Sequence, residues 1–169
     1  MGSMFSAKGR SRRSEFWLIC IGLSVLAGIV NTVIVAMLVG GDWLASMRDQ
    51  SPLAATSSAA LSLLIFWPLT AAAIRRAHDR DQGGTPVLIF QLCGLAFTAS
   101  DTVFAWMGGS WQEGPLFWAF GLFALIYLIA ALYFLVTLGF LDGTRGPNRF
   151  GPSPKHSANY RAPAIDAVD

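Results

Sequence analysis

The sequence predicts an all-α membrane protein, a compact bundle of four transmembrane helices with both termini in the cytoplasm. Three observations lead there. Only 13% of the 169 residues are charged and 54% are hydrophobic, whereas soluble domains run about 25% charged. The charges are also sorted along the chain. Residues 16–41, 53–74, 86–107 and 115–141 carry one charged side chain between them, Asp101, and the intervening segments carry the rest. Finally, the cations are lopsided. Eleven Lys and Arg lie in the leader, the segment after the second run and the tail, against one, Arg48, in the other two connections.

Each apolar run is long enough to cross a bilayer. A spanning helix needs about 20 mostly apolar residues for a hydrocarbon core about 30 Å thick, and the runs hold 26, 22, 22 and 27. The first follows a basic leader, "KGRSRR". It is too long for the apolar part of a signal peptide, about 7–15 residues, so it reads as an uncleaved helix. The second is diluted by Ser and Thr and contains Trp67-Pro68. That proline has no N–H and predicts a kink. The third starts at Pro86, suited to a first helical turn, and the fourth is wholly uncharged. None alternates with the period of about two residues that a membrane β-strand requires.

Orientation follows from the cations, which stay on the cytoplasmic side of spanning helices. The leader, the loop after helix two and the tail are therefore expected to face the cytoplasm. Tryptophan fits this, since it favours the headgroup zone. Trp17 marks the inner face, and Trp43, Trp106, Trp111 and Trp118 the outer one. Residues 1–154 form a single membrane domain on this reading, and 155–169 a flexible cytoplasmic tail.

Three stretches at the cytoplasmic boundary carry more detail than an anchor needs: "FSAKGRSRRSEFW" (5–17), "AIRRAHDRDQGG" (73–84) and "DGTRGPNRFGPSP" (142–154). Each mixes Arg with acids, Gly or aromatics. Five of the nine residues from Gly146 to Pro154 are Gly or Pro. Such backbone restraint points to segments held in fixed shapes and docked on one another. Arg pairs with carboxylate or phosphate through a planar fork. Arg10, Arg75, Arg76 and Arg149 are the candidate donors to an anionic headgroup or a protein partner. Glu15 and Asp79 are the carboxylates placed to hold them, and Phe150 the anchor of the tail. Replacing Arg149 with Lys is expected to weaken this cap, because an ammonium lacks the fork.

The three stretches resemble the signature segments of a bacterial inner-membrane family, domain of unknown function 805. Its members show a Gly-Arg-x-x-Arg-x-Glu-aromatic leader, here Gly9, Arg10, Arg13, Glu15, Phe16 and Trp17 with local changes of spacing. An Arg-Arg-Leu-His-Asp segment follows, here Arg75, Arg76, His78 and Asp79. A closing Gly-x-Asn-Arg-Phe-Gly-x-x-Pro matches Gly146, Asn148, Arg149, Phe150, Gly151 and Pro154. The chain departs at Ala77, where the family has Leu, and at Gln82–Pro86, where it tends to Arg-Ser-Gly and a nearby Trp. The resemblance spans residues 5–154. It implies a multi-pass protein of the bacterial cytoplasmic membrane, with no established activity.

Enzymatic chemistry finds little footing. A metal needs three or four converging ligands, and His78 has only His156, in the tail, as a fellow histidine. No metal, cofactor or catalytic set is expected, and a structural hydrogen bond is the expected role of His78. Cys20 and Cys93 fall inside helices, where thiols serve as packing groups. Nucleic acid is a poor partner for basic segments held against a membrane. The expected partners are the anionic lipids of the inner leaflet, with a protein partner or a second copy of the chain behind them. The alternative is a small transporter or channel using Asp101, Asn31 and the Pro68 kink, since an intramembrane acid is a candidate relay. Asn31 is expected to bond a neighbouring helix, and Asp101 to reach water or pair with Arg48.

Overall fold

The computed structural model describes residues 4–39, 51–108 and 114–154. Trp43, Arg48, Trp111, His156 and the tail expected to be flexible lie outside them. The described chain forms four helices that are long and apolar enough to span a membrane: α1, Arg13–Val39; α2, Pro52–Asp79; α3, Thr85–Met107; and α4, Pro115–Phe134. The last passes without a break into a π-helical turn, Leu135–Phe140.

The helix starts are written locally. Three helices have Pro in the first turn, after Ser51, Gly84 and Gly114, where its missing N–H costs no intrahelical bond. The fourth, α1, carries Glu15 in its first turn, where a carboxylate meets the positive end of the helix dipole. Pro68 lies buried inside α2, which continues past it without interruption.

The end of α2 differs from expectation. The apolar run stops at Ile74, but the helix continues five residues further, to Asp79, so Arg75, Arg76, His78 and Asp79 are helical and not in a loop. Two causes act together. The charged side chains are buried in paired contacts, and a defined stop lies just beyond. Asp81 takes a left-handed conformation (φ 59°). Its N–H bonds to His78 O at 3.0 Å, and the Gln82 N–H to Ala77 O at 3.0 Å. This double bond pattern is the Schellman termination, here with Asp in the position that Gly usually takes.

Packing is centred on α2, which lies between α1 and α3, while α4 leans on α3. The π-helical turn at the end of α4 reaches back to α1 and α2. The α3–α4 seam is an aromatic ladder. Phe90 stacks on Tyr127 (4.8 Å between centroids), Phe97 on Phe120 (4.7 Å), and Phe104 meets Phe120 edge-on (5.2 Å). Gly94 leaves the space that the Tyr127 hydroxyl occupies. Across the α1–α2 seam Ser57 donates to Asn31 Oδ1 at 2.8 Å, the interhelical bond expected of Asn31. Asp101 is exposed on the surface of α3.

Burial is inverted relative to a soluble protein. Large apolar side chains such as Leu18, Leu64, Ile129 and Leu132 face outward, as a lipid solvent permits. The buried apolar cluster sits at one end of the bundle, around Phe16, Ala73, Ile74, Ala77, Val87 and Leu138. Close helix approach there depends on small residues, since Ala71 and Ala72 have no exposed surface at all. Overpacking a tight site costs about 1–3 kcal/mol. Ala72→Leu should accordingly lower the thermal unfolding temperature in detergent. An unchanged transition would mean that α2 is not tightly enclosed.

Candidate functional site

At the same end of the bundle the leader, the last turn of α2 and the segment after α4 converge. The leader runs against α2. The Ser11 N–H bonds to Arg75 O (3.3 Å), and the His78 imidazole Nδ1 lies 3.1 Å from Gly9 O. A carbonyl only accepts, so Nδ1 carries the proton. Lower on α2, Trp67 Nε1 donates to Phe5 O at 2.8 Å.

Asp79 is the centre of the arrangement. Its Oδ1 accepts from Arg10 Nε at 3.0 Å and Nη2 at 2.9 Å, and its Oδ2 accepts from Arg76 Nη1. All three side chains are almost entirely buried, with 1%, 0% and 3% of the Arg10, Arg76 and Asp79 surfaces exposed. Two buried guanidiniums against one carboxylate leave a unit of positive charge to satisfy. Backbone carbonyls take it. Arg10 donates to Gly146 O (2.8 Å), Thr144 O (2.7 Å) and Gly151 O (3.3 Å), and so ties the leader to both sides of the closing loop.

Arg76 turns the other way, to the end of the fourth helix. The last carbonyls of any helix lack intrahelical partners and concentrate the negative end of its dipole. Here five consecutive carbonyls are met by side-chain donors. Thr137 O accepts from Arg80 (2.7 Å), Leu138 O from Arg76 Nε (2.8 Å), and Gly139 O from the Trp17 indole (3.1 Å). Phe140 O accepts from Arg13 (2.9 Å), and Leu141 O from Arg76 Nη2 (2.6 Å). The π-helical turn is closed by the Leu141 N–H bonding to Val136 O at 3.1 Å, five residues back. Gly139 is needed for this approach, because a Cβ there would lie 2.6 Å from the Trp17 ring.

The closing loop is pinned in its turn. The Thr144 N–H and hydroxyl both donate to Asp79 O, at 2.8 and 3.1 Å. Asn148 Nδ2 donates to His78 O (2.9 Å), and Asn148 exchanges backbone bonds with Gly151 (3.1 and 3.0 Å). The Phe150 ring stacks on His78, with centroids 3.8 Å apart, and the Arg149 guanidinium lies over the Phe150 ring at 4.8 Å. Gly146 and Gly151 adopt φ of 79° and 131°, a region in which a Cβ is strained. The Gly/Pro density of the tail therefore has a use, since these turns carry the loop over Arg10.

The structure sorts the expected site residues into two groups. Arg10 and Arg76, expected as donors to a ligand, are buried and fully engaged inside the cap. Arg75 is also buried and pairs with Glu15 at 3.6 Å. Of the four candidate donors only Arg149 is on the outside, 62% exposed, in an ion pair with Asp81 at 3.2 Å. The charge runs could not reveal this split, because Arg looks the same in sequence whether it caps a helix or faces water. Arg13 reaches Asp142 at 3.1 Å on the rim. Arg80, Gly139, Gly143 and Thr144 were not singled out by the sequence, although each is part of the cap. Gly143 approaches Asp79 so closely that a Cβ would collide with its carboxylate and lie 2.8 Å from its carbonyl oxygen.

These three docked segments carry the comparison with known proteins. A family model described as protein of unknown function, DUF805, matches residues 4–152. The chain belongs to this family. Among DUF805 relatives, the uncharacterized protein YiiR of Escherichia coli K12 is 28% identical over 161 residues, covering 94% of this chain and 92% of YiiR. The inner membrane protein YhaI of the same strain is 26% identical over 153 residues, covering 89% and 87%. No solved structure matches the chain. The DUF805 match takes in the leader, the α2 terminus and nearly all of the closing loop, which are the segments that Arg10, Arg76 and Asp79 join.

Stripping a buried acceptor of its donor costs about 1–3 kcal/mol. Without Arg76, Asp79 keeps Arg10, but its Oδ2 and the Leu138 and Leu141 carbonyls each lose a donor, a total of about 3 kcal/mol or more. Arg76→Ala should therefore destabilise the fold by about that much, and Arg76→Lys should not restore it, since one ammonium cannot reach Leu138, Leu141 and Asp79 together. Arg149→Lys, at an exposed pair, should stay within about 1 kcal/mol. Equal losses for Arg76→Lys and Arg149→Lys in thermal unfolding would contradict the division into inner and outer arginines. Gly143→Ala should act as a core lesion, at about 1–3 kcal/mol, despite its place in a loop.

Proposed function

We propose that the chain is a non-enzymatic protein of the bacterial inner membrane, with both termini in the cytoplasm, whose cap binds anionic lipid headgroups of the inner leaflet. The eleven-to-one bias of cations supports the orientation, since Lys and Arg are retained on the cytoplasmic side. One observation carries the binding reading. The cap spends Arg10 and Arg76 internally, yet it keeps Lys8, Arg12, Arg145 and Arg149 exposed around its edge. The contacts of two of these lie at the rim, Arg12 to Pro154 O at 2.7 Å and Arg149 to Asp81 and over the Phe150 ring. Cations that the fold does not require, displayed at a membrane boundary, are worth about 1 kcal/mol each toward an anionic leaflet.

The transport alternative draws less support. Asn31 has its oxygen engaged by Ser57, and Asp101 is exposed on one helix face. An enzymatic use of His78 is also disfavoured, because the imidazole is stacked under Phe150 and bonded to Gly9 O.

The test is lipid retention. An Arg12→Gln/Arg145→Gln/Arg149→Gln variant should keep nearly the wild-type unfolding temperature, since exposed pairs contribute about 0–1 kcal/mol. It should lose about tenfold or more of its preference for phosphatidylglycerol over phosphatidylcholine, measured by native mass spectrometry. Raising the salt from 0.1 to 1 M shortens the Debye length from about 10 to about 3 Å and should weaken the wild type in the same direction. A folded triple variant with unchanged preference would defeat the reading.

A further inference from the structure

A groove of about 790 Å³ runs between the leader and α1, lined at one end by Lys8, Ser14, Glu15 and Arg75 and along its length by Leu18, Leu23 and Leu26. Its size is that of a small-molecule site. Two features set it apart from an ordinary lipid-facing surface. Polarity changes along it in one direction, from charged groups at the cap to aliphatic ones along α1. Its depth also matches a leaflet. From Ser14 to Leu26 the helix rises about 18 Å at 1.5 Å per residue, and half of a hydrocarbon core is about 15 Å.

The charges at the polar end define what fits. Lys8 is exposed, while Arg75 is 97% buried and oriented by Glu15. A third cation at this end, Arg10, is already committed to Asp79, so Lys8, Arg75 and Glu15 leave a single positive charge, which a phosphodiester matches. The second groove, between α3 and α4, is lined by residues such as Pro86, Ile89, Phe90 and Phe123 and holds no charged group. It has nothing to recognise a headgroup.

We propose that the groove between the leader and α1 holds one glycerophospholipid, its phosphate between Lys8 and Arg75 and one acyl chain along Leu18, Leu23 and Leu26. This rests on the headgroup-binding reading and adds to it a single site with defined depth. The rim cations attract many anionic lipids weakly, whereas the groove retains one. Gly22, which lines the groove, supplies the means to separate them. Nothing lies within 4 Å of a Cβ added there, so a larger residue fits the fold and fills the space of the chain.

The full-length protein, extracted in an uncharged detergent and titrated with phosphatidylglycerol, is compared by native mass spectrometry with three variants. Wild type should show one lipid adduct that persists at high collision energy. Gly22→Leu should lose it, with the unfolding temperature unchanged or raised. Lys8→Ala should weaken it about fivefold, the equivalent of one cation near a charged surface. The rim variant Arg12→Gln/Arg145→Gln/Arg149→Gln should keep the persistent adduct while losing the weaker ones. A persistent adduct that survives Gly22→Leu overturns the groove assignment and leaves the rim reading standing. Loss in the rim variant alone has the same meaning, and no change in any variant defeats both. Should Gly22→Leu not fold, Lys8→Ala decides, because its side chain is exposed and wild-type affinity there removes the phosphate from this site.

Discussion

The cap depends on one carboxylate shared by two buried guanidiniums. Asp79 receives Arg10 on one oxygen and Arg76 on the other, and each arginine then extends to a different segment. Arg10 holds the closing loop through three of its carbonyls, and Arg76 holds the end of the fourth helix through two. Burying ions is costly unless every donor and lone pair is used. The fold meets that condition with backbone carbonyls, including those of a helix terminus whose dipole is already negative. Without Asp79 both arginines would be buried charges lacking a counterion, and three segments would lose their common attachment.

This arrangement suits a protein whose solvent is mostly lipid. Apolar surface gains little by turning inward when the surroundings are apolar too, so helix association relies on close packing and polar contacts. The bundle uses both, in different places. Away from the cap the seams are held by the aromatic ladder of α3 and α4 and by the Asn31–Ser57 bond. At the cap the fourth helix, which leans mainly on α3, is drawn back to α1 and α2 through its π-helical turn. The widened turn and the side-chain donors belong together, because the carbonyls that leave the helical ladder are the ones that Arg13, Trp17, Arg76 and Arg80 collect.

The division between inner and outer cations gives the cap two faces with different work. Inside, arginine acts as a helix cap and cross-link, where the geometry of the fork matters more than its charge. Outside, Lys8, Arg12, Arg145 and Arg149 stay exposed to the surroundings. The groove joins the two, since Lys8 belongs to the outer set and Arg75 to the buried one. A headgroup bound there would touch the rim while its chain lay against α1.

Four spanning helices follow from four long apolar runs, because length and absence of charge are one-dimensional properties and the bilayer tests nothing else. The starts of α2, α3 and α4 were likewise local, written in Pro52, Pro86 and Pro115. That the three polar stretches are shaped and not loose could be read from their Gly, Pro and Arg content. What each arginine does could not. Arg76 and Arg149 are the same residue type, yet one is buried against a helix terminus and the other is exposed. The end of α2 was missed for the same reason, since Arg75, Arg76 and Asp79 look like the start of a loop until partners from the leader and the closing segment bury them. Gly143 has no local signature either, as its small size answers to a carboxylate 64 residues away. The sequence by itself determined how many times the chain crosses and where it turns, because those depend on each segment's affinity for lipid. Only the tertiary structure decided which charges are structural and which remain available, because that depends on what lies opposite each side chain once the segments meet.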